Sequence, residues 1–382
     1  MRAVLLTCST GQGHNSAALA VAEALTERGV ECSLVDALAF LGPNASEAIT
    51  SVFVNIAVKT PRAFGFMYQA GEFISSDRRK SPVYYANALY AENLHRYLVE
   101  NAVDAAICPH LFPAEALTFL RRRRELPVKS YFVSTDYTCI PFLEETDMDL
   151  VFAPSGDLAP QFERRGVDPA RTVYAGIPVL EKYRHTTDRH VARKSLNIPL
   201  DVAAYLVMTG GEGCGDPMTI TRKLLERCGE EEVRVVVMTG RNTALLETLR
   251  KRYEGDARVV PVPFTEQVSL YMDACDVLLT KPGGISSTEA GVKGIPMIHT
   301  APIPGCETVN AQFFSERGMS ILAPTPEIAA DNAVRVAADV LQKNRMREAQ
   351  RQYMSPDAAA RIAGIIVKNM PVPAEPPVEM AQ

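Results

Sequence analysis

Thr280-Lys281-Pro282-Gly283-Gly284-Ile285-Ser286-Ser287-Thr288-Glu289-Ala290 is the stretch that decides how this chain reads. The apolar run Asp276-Val277-Leu278-Leu279 precedes it and has the character of a buried strand. A helical pattern follows and continues through Gly291 and Val292. Two glycines at a strand-to-helix turn let a ligand approach the backbone. The free N–H groups of the first helical turn then face that ligand, and the helix dipole favours an anion there. Lys281, Gly283, Gly284 and Ser286 are therefore candidate phosphate contacts. Glu289 cannot hold a phosphate, but a carboxylate can accept hydrogen bonds from ribose hydroxyls. Together these residues describe a site for a sugar nucleotide.

A second strand-turn-helix signal lies near the start of the sequence. Ala3-Val4-Leu5-Leu6-Thr7 runs into Cys8-Ser9-Thr10-Gly11-Gln12-Gly13-His14-Asn15-Ser16. Gly11-x-Gly13 alone is a weak signal, since any tight α/β turn can produce it. His14 is less ordinary, because it places an imidazole at the edge of a sheet where α/β proteins bind ligands. Strand-like runs alternate with helical patterns throughout, which predicts an α/β fold with parallel sheets. Strands are expected near 2–7, 31–35, 104–108, 128–133, 149–153 and 171–174. A second set is expected near 203–208, 233–238, 258–261, 276–280, 295–298 and 319–322. The break falls near 177–190, giving one domain over 1–180 and another over 181–355. A last helix covers 356–370, and the proline-rich tail 371–382 is expected to be disordered.

Composition narrows the class. The chain has 382 residues, of which 47% are hydrophobic, as in ordinary globular proteins. No apolar run reaches about 18 residues, so no membrane-spanning helix is expected. No signal peptide is read before the first strand. The eight cysteines show no C-x-x-C pair, which argues against zinc ribbons and redox motifs. A cytoplasmic location follows. The net charge of −5 hides a local excess: residues 59–129 hold 11 Lys/Arg against 7 Asp/Glu. Nucleic acid is not the expected partner, because the whole chain is acidic and its basic runs lack interleaved aromatics. Residues 45–100 are longer than an ordinary crossover and mix Phe53, Phe64, Phe66, Met67, Tyr68, Phe73, Tyr84 and Tyr85 with Arg78, Arg79 and Lys80. Such a mixture suits an interfacial element on an anionic membrane, at about 1 kcal/mol per basic residue. The bland alternative is that these aromatics fill a core. Arg121 to Arg124 likewise read either as a lipid contact or as a solvated helix end.

Taken in order, the motifs resemble those of the diacylglycerol glycosyltransferases and monogalactosyldiacylglycerol synthases. More distantly they resemble the N-acetylglucosaminyltransferase of peptidoglycan lipid synthesis. The carriers are Ser9-Thr10-Gly11-Gln12-Gly13-His14, Cys108-Pro109-His110-Leu111-Phe112-Pro113, Thr135-Asp136-Tyr137, Gly176-Ile177-Pro178-Val179, Lys281-Pro282-Gly283-Gly284, and Pro304-Gly305-Cys306-Glu307 with Asn310. The resemblance implies the GT-B architecture, two Rossmann-like domains facing a cleft, with the last helix returning to the first domain. It implies inverting transfer of a hexose from a UDP-sugar to diacylglycerol or a similar lipid, by a protein peripheral to the inner face of the cell membrane. It further implies that Glu307 and Asn310 contact the donor sugar. Gly211 and Gly213 would lie under the diphosphate beside Gly13, and Arg241 would border the uracil.

Glycosyl transfer needs a base for the acceptor hydroxyl and neutralisation of the leaving diphosphate. His14 is the candidate base, since an imidazole is neutral near physiological pH. The plainer reading is that it only caps its helix or contacts a phosphate. Asp136 could orient an imidazole or accept from the acceptor hydroxyl, or be a turn residue. His110 and Phe112 could line the acceptor pocket. The one Asp-x-Asp stretch, Asp147-Met148-Asp149, could hold a divalent metal on a diphosphate. Lys281 and the glycine turn offer a cation and N–H donors instead, so no metal and no cofactor beyond the UDP-sugar is expected. Two positions commonly His and Trp in the processive glucosyltransferases are Ile140 and Leu143 here, and a common Gln is Cys306. The rival functions are a UDP-sugar 2-epimerase and a non-catalytic UDP-sugar sensor.

Overall fold

A computed structural model describes residues 1–8, 12–42, 60–76, 79–126, 128–208 and 216–370, without the side chains of 61–64, 67 and 72. The expectations for Gly211, Gly213, Arg78, Phe53 and the tail from Pro371 lie outside those residues.

The strands are β1 (Arg2–Thr7), β2 (Glu31–Asp36), β3 (Ala105–Cys108), β4 (Lys129–Val133), β5 (Leu150–Ala153) and β6 (Thr172–Tyr174) in the first half. The second half holds β7 (Ala203–Met208), β8 (Val233–Gly240), β9 (Val259–Pro263), β10 (Val277–Thr280), β11 (Met297–His299) and β12 (Ser320–Leu322). Among the helices are α1 (Gln12–Thr26), α2 (Pro61–Ile74), α3 (Pro82–Ala88), α4 (Ala91–Glu100), α5 (Leu111–Arg121) and α6 (Ala159–Arg165). They continue as α7 (Glu181–Arg184), α8 (Arg189–Ser195), α9 (Pro217–Cys228), α10 (Thr243–Arg252), α11 (Val268–Ala274) and α12 (Gly284–Lys293). The last four are α13 (Cys306–Glu316), α14 (Pro326–Ala338), α15 (Val340–Tyr353) and α16 (Ala358–Asn369).

Two six-stranded sheets result, ordered β2-β1-β3-β4-β5-β6 and β12-β11-β10-β7-β8-β9. Their ladders are parallel, with Leu5 paired to Ile107 in one and Leu279 to Val207 in the other. Parallel strands are covered on both faces, which is why they read as unbroken apolar runs such as Val277-Leu278-Leu279. In each sheet the chain starts inside, winds outward, then returns to the other side of its first strand. The resulting switch points lie between β1 and β3 and between β7 and β10. Crevices for ligands form there, outside the carboxyl ends of the strands. The turns after β1, β3 and β10 are those that the sequence singles out.

Packing fixes these edges. The guanidinium of Arg193 is fully buried and donates to the carbonyls of Ala274, Pro199, Leu200 and Val202. It also meets the Asp276 carboxylate at 3.0 Å, just before β10. A buried cation is tolerable only when so fully bonded, and here it anchors the strand that delivers Lys281 to the cleft. Ile362, Ala363 and Ile366 of α16 pack with Ala18, Val21 and Leu25 of α1 in one core cluster of the first half.

The aromatic run between β2 and β3 divides. Tyr84 and Tyr90 are buried, so part of it fills the core. Phe66 and Phe73 are 74% and 92% exposed, and Tyr85 and Leu89 are also exposed. Lys80, expected at a membrane contact, turns inward: its ammonium donates to the carbonyl of Glu145 and lies 5.1 Å from the Tyr84 ring centroid. Arg79 is exposed. Arg121 is tied to Asp149 and Arg124 to Glu92, which makes them helix-end ion pairs rather than free lipid contacts. No helix of the described residues is long and apolar enough to cross a membrane.

Candidate functional site

The turn after β10 brings Lys281 and two glycines to the cleft. Helix α12 begins at Gly284 with no side-chain oxygen capping it. Its first-turn N–H groups, which no intrahelical carbonyl can reach, are thus left to a ligand. Gly283 faces open space, whereas Gly284 touches the other half: a Cβ there would lie 2.0 Å from the Thr135 carbonyl oxygen. Only glycine permits this approach. Gly13 packs nearby, where a Cβ would stand 3.3 Å from Ile285 Cγ1. The cradle therefore lies directly against the first turn of α1 and the turn that follows β4.

His14 is in the first turn of α1 and is half-buried. Its Nδ1 is 2.8 Å from the carbonyl oxygen of Pro109. A carbonyl only accepts, so Nδ1 carries the proton and Nε2 keeps its lone pair. Thr135 Oγ1 lies 3.2 Å from the same Nδ1 and 3.3 Å from Asp136 Oδ2. Asp136 therefore reaches the imidazole through the Thr135 hydroxyl, not directly. Burial lowers the imidazole's pKa, while the Asp136 charge and the Pro109 carbonyl pull it up. Such an imidazole stays neutral and basic at neutral pH.

His110 does not open onto a pocket. It is buried, its Nδ1 caps α5 by accepting from Phe112 N, and its ring stands edge-on to His14 at 4.7 Å. Burial and the neighbouring His14 keep it well below the usual histidine range, so it presents a neutral wall behind the base. Phe112 meets the His110 ring at 4.5 Å and leans on the first-half core.

On the donor side, Lys281 Nζ lies 2.7 Å from Glu307 Oε1, and Ile303 N donates to Glu307 Oε2 at 2.9 Å. Asn310, read as a sugar contact, is fully buried and joins the halves. Its Nδ2 donates to Asp136 Oδ1 and to the Pro282 carbonyl, and its Oδ1 accepts from Tyr137 N at 2.7 Å. Ser286 is half-buried on the first turn of α12. Glu289, deeper on the same helix, is 6% exposed. Burial pushes its carboxyl up to about 8, against the opposing pull of Lys182 and the Tyr183 hydroxyl. Arg241 is exposed, its guanidinium 5.6 Å from the Phe264 ring centroid.

Asp147 and Asp149 sit at the amino end of β5, opposite the cleft. Asp149 is held by Arg121 and by Ser130 N, and Asp147 by Arg171 at 2.8 Å. Sequence reasoning passed over the roles of Thr135 and Pro109. Both lay inside quoted motifs, but a hydroxyl and a carbonyl next to more conspicuous titratable neighbours give no separate signal.

Two parallel sheets whose switch points face each other across such a cleft make this a GT-B protein. MurG of Acinetobacter baumannii superposes with a TM-score of 0.62 at 16% identity, covering 96% of this chain and 99% of that one. The UDP-GlcNAc 2-epimerase of Neisseria meningitidis, solved with UDP-GlcNAc, gives 0.60 at 13% identity, over 97% and 100%. These likenesses establish the fold alone. Residues 14–179 match the family model described as monogalactosyldiacylglycerol (MGDG) synthase. The processive diacylglycerol β-glucosyltransferase of Bacillus subtilis (strain 168) is 25% identical over 353 residues, 91% of this chain and 90% of the relative. The chain is thus similar to the diacylglycerol glycosyltransferases over nearly its whole length, as its motifs implied.

Proposed function

We propose that this UDP-sugar-dependent glycosyltransferase moves a hexose onto diacylglycerol or a similar lipid hydroxyl at an anionic membrane surface, with inversion and without a metal. The observation that carries this is the junction at Thr135. Its hydroxyl meets the candidate base His14, and its carbonyl meets the start of the phosphate cradle at Gly284. Base and leaving-group site thereby stand together, as a single in-line displacement requires. His14 Nε2 takes the acceptor proton. The α12 N–H groups and Lys281 take up the charge of the departing UDP, the role a metal fills elsewhere. The ion pairs that engage Asp147 and Asp149, on the far edge of the sheet, support the metal-free reading. Against an epimerase stand the exposed aromatics of α2 and α3, which a soluble sugar does not require.

The test is UDP release from UDP-glucose, UDP-galactose, UDP-glucuronate and UDP-N-acetylglucosamine, with and without diacylglycerol in anionic vesicles. Lipid-dependent release from one donor is expected. Binding of UDP with no lipid-dependent release would count against the lipid acceptor.

The membrane part rests on Phe66 and Phe73. Each would withdraw roughly 1.5–3 kcal/mol of apolar side chain from water on entering lipid. Phe66→Ser with Phe73→Ser is expected to weaken vesicle flotation at least about tenfold, with the thermal midpoint unchanged because both side chains are already exposed. Unaltered flotation would remove α2 from the membrane contact.

Glu289 gives a pH signature. Its carboxyl is neutral at pH 7 and ionises through about 8. An ionised carboxylate accepts ribose hydroxyls more strongly than a neutral one. The affinity for UDP is therefore expected to rise from pH 7 to 9, and calorimetry on Glu289→Gln should show that rise abolished. A rise that persists in Glu289→Gln would take the ribose from Glu289.

A further inference from the structure

The residue that seats the sugar end of the donor site comes from the opposite half of the molecule: we infer that Tyr68, on α2, is a positioning residue for the donor sugar. The inference rests on the reading of Lys281 and Glu307 as the sugar-diphosphate contacts.

Gly65, Tyr68, Gly71 and Ser75 recur at helical spacing and form one face of α2. The carboxyl end of that face is fixed to the first half. A Cβ at Gly71 would lie 3.3 Å from the Phe142 ring and 3.7 Å from Pro141. Ser75 Oγ accepts from Phe142 N at 2.7 Å and donates to the Glu144 carboxylate. The amino end of the face reaches across to the second half. A Cβ at Gly65 would stand 2.6 Å from Pro304 Cβ. The Tyr68 ring covers Gly305, where a Cβ would be 3.1 Å from Cγ and Cδ2. Cys306 Sγ donates to the Tyr68 hydroxyl at 3.3 Å.

These three contacts fall on the turn that starts α13. Gly305 holds φ at 116°, open only to glycine without strain, and Glu307 follows two residues later. Burial holds the Cys306 thiol well above its ordinary value, so it remains an S–H donor to Tyr68. Tyr68 therefore sets where the turn stops and, with it, where the Glu307 carboxylate meets Lys281. The outer face of α2 carries Phe66 and Phe73, roughly half a turn away from Tyr68 at about 100° per residue. One helix thus touches the sugar turn on one side and is bare on the other. Seating the bare side on lipid steadies the first side.

The experiment compares UDP-sugar with UDP in the wild type, Tyr68→Ala and Tyr68→Phe, using the donor that the panel identifies. Tyr68→Ala is expected to raise the UDP-sugar KM and Kd about tenfold, while the UDP Kd stays within about twofold. Tyr68→Phe keeps the ring over Gly305 and is expected to lose about threefold. Anionic diacylglycerol vesicles should tighten UDP-sugar binding in the wild type and leave Tyr68→Ala unmoved. A folded Tyr68→Ala with unchanged UDP-sugar affinity overturns the inference, as does a UDP Kd that rises in step. A wild type that binds UDP-sugar without turnover defeats the transferase reading instead, and the Kd comparison still judges Tyr68.

Discussion

Replacing His14 by alanine is expected to lower kcat by about 10²–10⁴-fold while the UDP Kd changes less than about twofold. The split follows from the geometry. The hydrogen bonds of His14 run to Pro109 and Thr135 of its own half, away from the cradle on the other side. The acid limb of kcat/KM should also sit below pH 6.5, the ordinary imidazole value, because burial lowers this one. Asp136→Asn removes a negative charge that favours the imidazolium. The limb should therefore move to still lower pH in that variant, not higher. Near-full activity in His14→Ala, measured as UDP release with lipid present, would return the histidine to a capping role.

The second large effect is expected at Gly284. Alanine there suits a helix, and the three atoms nearest its methyl all belong to the first half, so the second half should keep its thermal stability. The new methyl would sit 2.0 Å from the Thr135 carbonyl, so the halves must part by about 1 Å or more. A displacement of that size between reacting groups can cost about 10²-fold. Turnover should fall by that order, and a wider particle by small-angle scattering should accompany it. Wild-type turnover in Gly284→Ala would mean that the contact is not part of the working geometry.

Much of the fold was legible because parallel strands are buried on both faces. Ala105-Ala106-Ile107-Cys108 and Val277-Leu278-Leu279 announce themselves as apolar runs, and the glycines of the turns after β1 and β10 mark where ligands can approach. What the residues alone did not show depends on packing between the halves. Asn310 reads as a sugar contact until its amide is seen spanning Asp136, Pro282 and Tyr137. His110 reads as a pocket residue until its ring is found behind His14, capping a helix. Lys80 and Tyr84 look like membrane anchors in the sequence, yet they face inward, while Phe66 and Phe73 of the same run stay bare. Composition cannot separate those outcomes, because helix phase and the neighbouring Glu144–Glu145 turn decide them.

The packing of α16 on α1 also bears on how the molecule is made. Ala18, Val21 and Leu25 are covered by Ile362, Ala363 and Ile366, which are synthesised only after nearly the entire second half. During translation the first sheet stays uncovered on that side while the second sheet, formed from consecutive chain, can close around its own strands. The half that is made first is thus the half that matures last, and a ribosome stalled before residue 358 would display a sticky α1 to chaperones.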